Sequence, residues 1–188
     1  MREPVFLDRD GVINENVPDY VRTLSLWMPI PGSLEAAAAL SAAGHPVVVV
    51  TNQSAIGRGL VDASTVDSIN ALMSRRIEAV GGRLSGVYVC PHRPDEGCSC
   101  RKPETGMIEA ARRDLGLPPG GWLVGDAETD MEMGRRAGLE TVLVMTGRGR
   151  EQAGLARPGS PPDHVAADLA EAAAIILGAD APDQGGSS

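Results

Sequence analysis

The chain has 188 residues, a formal net charge of −8, three cysteines, one phenylalanine, two tyrosines and two tryptophans. That length is enough for one domain with an aliphatic interior, while the negative charge and the scarcity of aromatic platforms exclude a general nucleic-acid or membrane-surface binder. No stretch nears membrane-spanning length and no basic-then-apolar leader opens the sequence, so a cytoplasmic protein is expected.

The first element is a short apolar strand, Val5-Phe6-Leu7, that stops at Asp8-Arg9-Asp10-Gly11. Two carboxylates two residues apart at the end of a buried strand lie where open α/β sheets place their sites. A bare D-x-D is also what a solvated turn looks like. If both groups are held close, a divalent cation is the natural compensator for their repulsion, and Gly11 would allow a sharp turn beneath them. One carboxylate could then attack phosphorus while the other moves a proton.

Residues 15–31, with prolines at 18, 29 and 31, read as a loop crossing the mouth of such a site; Asn16, Asp19 and Tyr20 are placed to touch a ligand or simply to be solvated. Ser33 is a plausible cap for a helix with Leu34, Ala37, Ala38 and Leu40 inside and Gly44 at its end. Val47-Val48-Val49-Val50 is a β-branched run suited to a strand covered on both faces. It ends in Thr51-Asn52-Gln53-Ser54, where a hydroxyl and successive amides can bind phosphate oxygens.

Gly57-Arg58-Gly59 reads as a loop. Asp62 is the expected cap of a helix reaching about Val80, with Val66, Ile69, Leu72, Met73, Ile77 and Val80 inward. A strand over 86–90 leads into Cys90-Pro91-His92 and then Cys98-Ser99-Cys100. Three thiols and one imidazole match a closed tetrahedral Zn²⁺ site better than a disulfide framework, and residues 90–100 are read as a zinc loop. Arg101-Lys102-Pro103 follows at once, two cations that a pinned loop could hold over a phosphate.

Thr105 is the expected cap of a helix with Ile108, Ala111 and Leu115 inside and Gly116 at its end. A strand over 122–124 runs into Gly125-Asp126, and Thr129-Asp130-Met131-Glu132 has the form of a capping box opening a helix to Gly138. Asp126 is a third strand-end carboxylate, able to complete a Mg²⁺ site, with Asp130 either supporting it from behind or simply favouring the helix N-terminus. A fifth strand over 141–145, a loop over 147–162, a short edge strand at 164–166, a helix over 168–177 and a disordered tail complete the chain. Strands alternating with helices predict a Rossmann-like, doubly wound parallel sheet with helices on both faces, one domain over 1–178 and a tail over 179–188.

In these stations the chain resembles the haloacid dehalogenase superfamily of phosphohydrolases: LDRDG at 7–11, TNQS at 51–54, RKP at 101–103 and GDxxxD at 125–130, in that order. The C-x-H…C-x-C cluster running into CRKP is similar to the capless branch that includes heptose bisphosphate phosphatases and histidinol-phosphatases. The resemblance implies that Asp8 is the nucleophile and Asp10 the general acid and base. Thr51, Asn52 and Lys102 would then stabilise the phosphoryl group. It implies Mg²⁺ on Asp8, the Asp10 carbonyl and Asp126, and Zn²⁺ on Cys90, His92, Cys98 and Cys100. Arg101, Gln53, Ser54 and the Asn16 to Asp19 loop would recognise the rest of a small phosphorylated sugar, with histidinol phosphate as the runner-up substrate through Glu15 and Asp19. A zinc-stabilised binding module without catalysis is the non-enzyme alternative. A monomer with no large cap is expected. Residue 127 is Ala where many members carry a second acid, which leaves Mg²⁺ to Asp126 with Asp130 in support.

Overall fold

The computed structural model describes residues 2–153 and 161–179. Six strands form one parallel sheet: β1 (Val5–Leu7), β2 (Val47–Asn52), β3 (Gly86–Cys90), β4 (Trp122–Gly125), β5 (Glu140–Val144) and β6 (His164–Ala166), in the order β3-β2-β1-β4-β5-β6. The reversal of winding falls at β1, flanked by β2 and β4. Ligand crevices of doubly wound sheets open at that point, outside the carboxyl ends of the strands. The expected fold class therefore holds.

Alternation along the central strands explains why their sequences are apolar throughout. Val5, Leu7, Val47 and Val49 face one core, with Ile69, Met73 and Ile77 from α3 (Ala63–Ala79). Leu34 and Leu40 from α1 (Ser33–Ala42) and Ile176 from α7 (Leu169–Ala179) complete that core. Phe6, Val48, Val50 and Leu123 face the other, against Met107, Ile108 and Ala111 of α4 (Gly106–Leu115) and Met133 of α5 (Glu128–Ala137). A strand buried on both faces has no solvent side to fill with polar residues.

Several local expectations are corrected. Gly32, at φ 81°, is the cap of α1, and Ser33 is its first residue, with its hydroxyl donating to the Ile13 carbonyl at 2.6 Å. The 15–31 loop contains a 3-10 turn, Leu24–Leu26, and the Gly57 region begins as a short helix, α2 (Ser54–Gly57). Val80 is 41% exposed, because α3 ends at Ala79. The helix after Asp126 starts at Glu128, one residue before Thr129, with Ala127 as its cap, and Asp130 rather than Glu132 reaches back, accepting from the Ala127 N–H at 3.1 Å. Part of the loop over 147–162 is helical as α6 (Gly149–Ala153). The last helix runs on to Ala179, and the tail from 180 onward lies outside the described residues.

The edge strand β6 is fastened from outside the ladder. Asp163 accepts from both the backbone N–H and the hydroxyl of Thr141, at 2.8 and 2.6 Å, and these bonds hold its carboxyl below the usual aspartate range. A carboxyl whose folded pKa is depressed stabilises the fold above its unfolded value and loses that contribution as pH falls through the folded one. Thr141→Val is therefore expected to cost about 1 kcal/mol at neutral pH. The difference should shrink below the ordinary aspartate range near pH ~4, as read from urea unfolding at the two pH values.

Candidate active site

Parallel register brings the strand ends together. Leu7 of β1 is level with Val49 of β2 and Val124 of β4, so the residues just beyond each, Asp8, Thr51 and Asp126, emerge on one edge of the sheet. Asp8 and Thr51 open into a pocket of about 460 Å³ whose lining also includes Asp10, Arg101 and Lys102, while Asp126 lies fully buried and outside that lining.

Lys102 is the cation of this site. Its Nζ lies 2.7 Å from Asp8 Oδ1 and 2.7 Å from Asp130 Oδ1, with all three side chains buried. Burial alone would favour the neutral amine, but Asp130 and Asp8 outweigh it and raise the lysine pKa. Asp8 Oδ1 also accepts from the Arg9 N–H at 2.7 Å, which leaves Oδ2 to meet a ligand. Desolvation pushes Asp8 up to about 6, and desolvation followed by the charge of Asp8 raises Asp126. A cation added here would relieve both.

The site fits Mg²⁺ on its donor chemistry and on its space. One oxygen from each of Asp8, Asp126 and Asp130 lies within 4.8 Å of the others. Two glycines let backbone close around Asp126 and cradle its carboxylate: a Cβ on Gly11 would sit 2.2 Å, and one on Gly147 2.3 Å, from Asp126 Oδ2, and both residues have positive φ. Oxygen donors of this kind suit a hard divalent ion. Asp130, expected to support the metal from behind or to favour the helix N-terminus, has Oδ1 on Lys102 and Oδ2 on the Ala127 N–H at the start of α5.

Asp10 is surrounded by donors. Arg9 reaches it with Nη2 at 2.9 and 3.1 Å and Nε at 3.3 Å, Asn14 Nδ2 donates at 2.8 Å and Gln53 Nε2 at 2.7 Å. Gln53 also donates to Thr51 Oγ1 at 2.9 Å, so the threonine proton is available to a ligand oxygen. Gln53 thus supports Asp10 and Thr51 rather than lining the pocket. Asn16, Asn52, Ser54 and Arg101 do line it, whereas Asp19 is exposed and outside that lining, as is Glu15.

Cys90, His92, Cys98 and Cys100 close into a four-membered cluster. The Sγ atoms of Cys90 and Cys98 are 3.7 Å apart and those of Cys98 and Cys100 3.5 Å; His92 Nδ1 lies 3.7 Å from Cys90 Sγ and 3.3 Å from Cys100 Sγ. Around a tetrahedral Zn²⁺ such edges are about 3.7 Å between sulfurs and about 3.5 Å between sulfur and nitrogen. The donor set therefore fits zinc, bound through His92 Nδ1. Burial pushes the Cys90 thiol up to about 12, a thiolate that needs a cation; at Cys98 burial is overcome by hydrogen bonds from Cys100, the Arg101 backbone and Cys90, which bring it to about 7. The cluster feeds the site directly, because Arg101 Nη1 donates to the His92 carbonyl at 3.2 Å and the Lys102 N–H to Asn52 Oδ1 at 3.2 Å.

Three side chains were missed by sequence reasoning. Arg9 is wholly buried beneath Asp10, where the sequence offered only a spacer between two aspartates. Asn70, on α3, accepts from Arg9 Nη1 at 3.0 Å; a polar residue on the apolar stripe of a helix was its signal. Arg148 donates through its backbone N–H to Asp126 Oδ2 at 2.9 Å and through Nη2 to Oδ1 at 3.1 Å, from the Gly-Arg turn after β5.

A buried strand-end carboxylate on a lysine, with a second carboxylate two residues on and a third across the switch point, belongs to phosphohydrolases of the haloacid dehalogenase class. Comparison with known proteins narrows this. The HAD-hydrolase-like family model matches residues 99–172. The D-glycero-beta-D-manno-heptose-1,7-bisphosphate 7-phosphatase of Pseudomonas aeruginosa is 41% identical over 177 residues, covering 94% of this chain and 98% of that one. The protein of the same name from Pseudomonas putida is 46% identical over 77% of this chain and 83% of its own. The crystal structure of D,D-heptose 1,7-bisphosphate phosphatase from B. bronchiseptica, complexed with magnesium and phosphate, superposes with a TM-score of 0.88 at 37% identity, covering 95% of this chain and 99% of that one. The chain belongs to the haloacid dehalogenase-like hydrolases, within the family of heptose-1,7-bisphosphate 7-phosphatases.

Because the zinc cluster carries Arg101 and Lys102 on its own backbone, its loss should be felt in catalysis before it is felt in the fold. Cys98→Ser is expected to release zinc, seen by metal analysis, and to lower kcat/KM by about tenfold or more. The melting temperature should move by only a few degrees. Unchanged kinetics in the zinc-free variant would detach the cluster from the reaction.

Proposed function

We propose that the chain hydrolyses the 7-phosphate of D-glycero-D-manno-heptose 1,7-bisphosphate in the cytoplasm, as a monomer, with no nucleic-acid partner. The observation that carries the reading is the placement of Asp8 and Asp10 in one pocket, Asp8 on Lys102 and Asp10 on Arg9. The identity to relatives of that name supports the choice of substrate. No helix among the described residues is long and apolar enough to cross a membrane.

In this reading Asp8 Oδ2 attacks phosphorus, forming an O–P bond as the bond to the sugar 7-oxygen breaks. Asp10 gives its proton to that departing oxygen. Asp10 then takes a proton from water as the water oxygen attacks the aspartyl-phosphate, releasing phosphate and restoring Asp8. Lys102 Nζ and the Thr51 hydroxyl face the charge that spreads over the transferring oxygens, where fixed donors in a buried site are worth most. Asp8, the Asp10 carbonyl and Asp126 would hold Mg²⁺, which would supply further charge neutralisation. Arg101 and Arg148 line the pocket and offer guanidinium groups to the second phosphate of the substrate.

Phosphate release in the presence of Mg²⁺, compared across both anomers of the heptose bisphosphate, histidinol phosphate and fructose 1,6-bisphosphate, tests the substrate. A preference for one heptose anomer of about a hundredfold in kcat/KM is expected, or about 2.7 kcal/mol of differential transition-state binding. Asp8→Asn is expected to abolish turnover while the fold persists. A preference for histidinol phosphate would keep the chemistry and move the substrate; activity in Asp8→Asn would remove the nucleophile.

A further inference from the structure

The general acid is gripped from a distance. Arg9 is buried with no exposed surface, and its planar guanidinium is used on two sides: Nε and Nη2 fork onto Asp10, and Nη1 donates to Asn70 Oδ1 at 3.0 Å. Asn70 lies 61 residues away along the chain, on the face of α3 that carries Val66, Ile69, Met73 and Ile77 into the core. An amide on such a face costs stability unless its hydrogen bonds are made. Here its oxygen fixes the one guanidinium nitrogen that does not touch Asp10. A planar fork anchored at the far end has little freedom to turn about its long axis, and the carboxylate on the near end inherits that constraint. Asn14, the other side chain on Asp10 Oδ1, is itself set by the Trp27 indole N–H, which donates to Asn14 Oδ1 at 3.0 Å.

We propose that Asn70 is a positioning residue for proton transfer, acting through Arg9 to fix the orientation in which Asp10 meets the leaving oxygen. The inference rests on the reading of Asp10 as the general acid. Asn70 is not among the residues lining the pocket, so its effect has to be transmitted. General acid catalysis contributes roughly 10² to 10⁴ in rate, and misplacement of a reacting group by about 1 Å removes a large share of such a factor.

The leaving group provides the readout. A sugar alkoxide needs a proton as it departs, whereas p-nitrophenolate leaves without one, so the ratio of heptose bisphosphate turnover to p-nitrophenyl phosphate turnover reports on the acid. The ratio does not depend on how much of a preparation is folded. Asn70→Leu is expected to lower this ratio about tenfold through kcat, with KM for the sugar within twofold of its original value. Asn70→Asp, which keeps an acceptor oxygen for Arg9, is expected to restore it. Asp10→Asn serves as the reference and should lower the ratio further than Asn70→Leu. An unchanged ratio in Asn70→Leu beside a collapsed ratio in Asp10→Asn overturns the positioning role alone. An unchanged ratio in Asp10→Asn overturns the acid assignment and the inference with it.

Discussion

A buried ammonium between two buried carboxylates sets the terms for everything around it. Lys102 sits 2.7 Å from both Asp8 and Asp130, and all three are largely withdrawn from water at the floor of the pocket. Removing one partner from such a cluster leaves an uncompensated charge in a low-dielectric interior, a loss of the order of 3–5 kcal/mol. The strands must therefore keep their register. Asp8 comes from the end of β1, Asp130 from the first turn of α5 and Lys102 from the exit of the zinc loop, so the cluster joins three parts of the chain. The zinc cluster makes that third arrival reproducible: it fixes a stretch in which five successive residues, 93–97, are exposed and make little core of their own.

The same economy appears at Asp126. Its carboxyl pKa is raised by burial and by Asp8, and two neighbours answer it with three groups: Asn16 Nδ2 at 3.0 Å, the Arg148 N–H and the Arg148 guanidinium. Space is controlled as closely as charge. Gly11 and Gly147 press backbone against that carboxylate where a single methyl group would collide, so the two turns after β1 and β5 close on each other, tied by the Thr146 hydroxyl donating to the Gly11 carbonyl at 2.6 Å. An alanine there would not merely strain a positive φ; its methyl group would collide with the Asp126 carboxylate.

Much of this was legible in the sequence because the informative residues end strands. A buried parallel strand must surrender to polarity abruptly, so Asp8, Thr51 and Asp126 announce themselves against Val-Phe-Leu, Val-Val-Val-Val and Trp-Leu-Val. The cysteine cluster is local, and its four donors needed only a count. What stayed hidden depends on where helices lie on the sheet. Nothing near Asn70 in the chain points to Arg9; only the packing of α3 into the core on that face of the sheet makes them neighbours. Arg148 looked like one arginine in a Gly-rich loop, because its partner Asp126 is 22 residues earlier and across β5. The capping frame was misread at Thr129 since a T-x-x-E string is as easily found inside a helix as at its start. Asp130 had the stronger claim, being able to satisfy both an amide and an ammonium.

The pocket mouth carries Arg101 and Arg148 on a chain whose overall charge is −8. Far away, a doubly phosphorylated molecule meets net repulsion; within the last few ångströms it meets two guanidinium groups and an ammonium, set among the carboxylates of Asp8, Asp10 and Asp130 that a bound Mg²⁺ would answer. Salt screens the first of these more than the second, since the Debye length is about 10 Å at 0.1 M ionic strength. Encounter between protein and ligand is thus eased by the ionic background of a cell rather than weakened by it. The usual sign of salt dependence for an anion-binding protein is reversed on the approach and kept only at contact. Among the described residues no cap domain covers the opening, so this charge pattern lies directly on the path of entry.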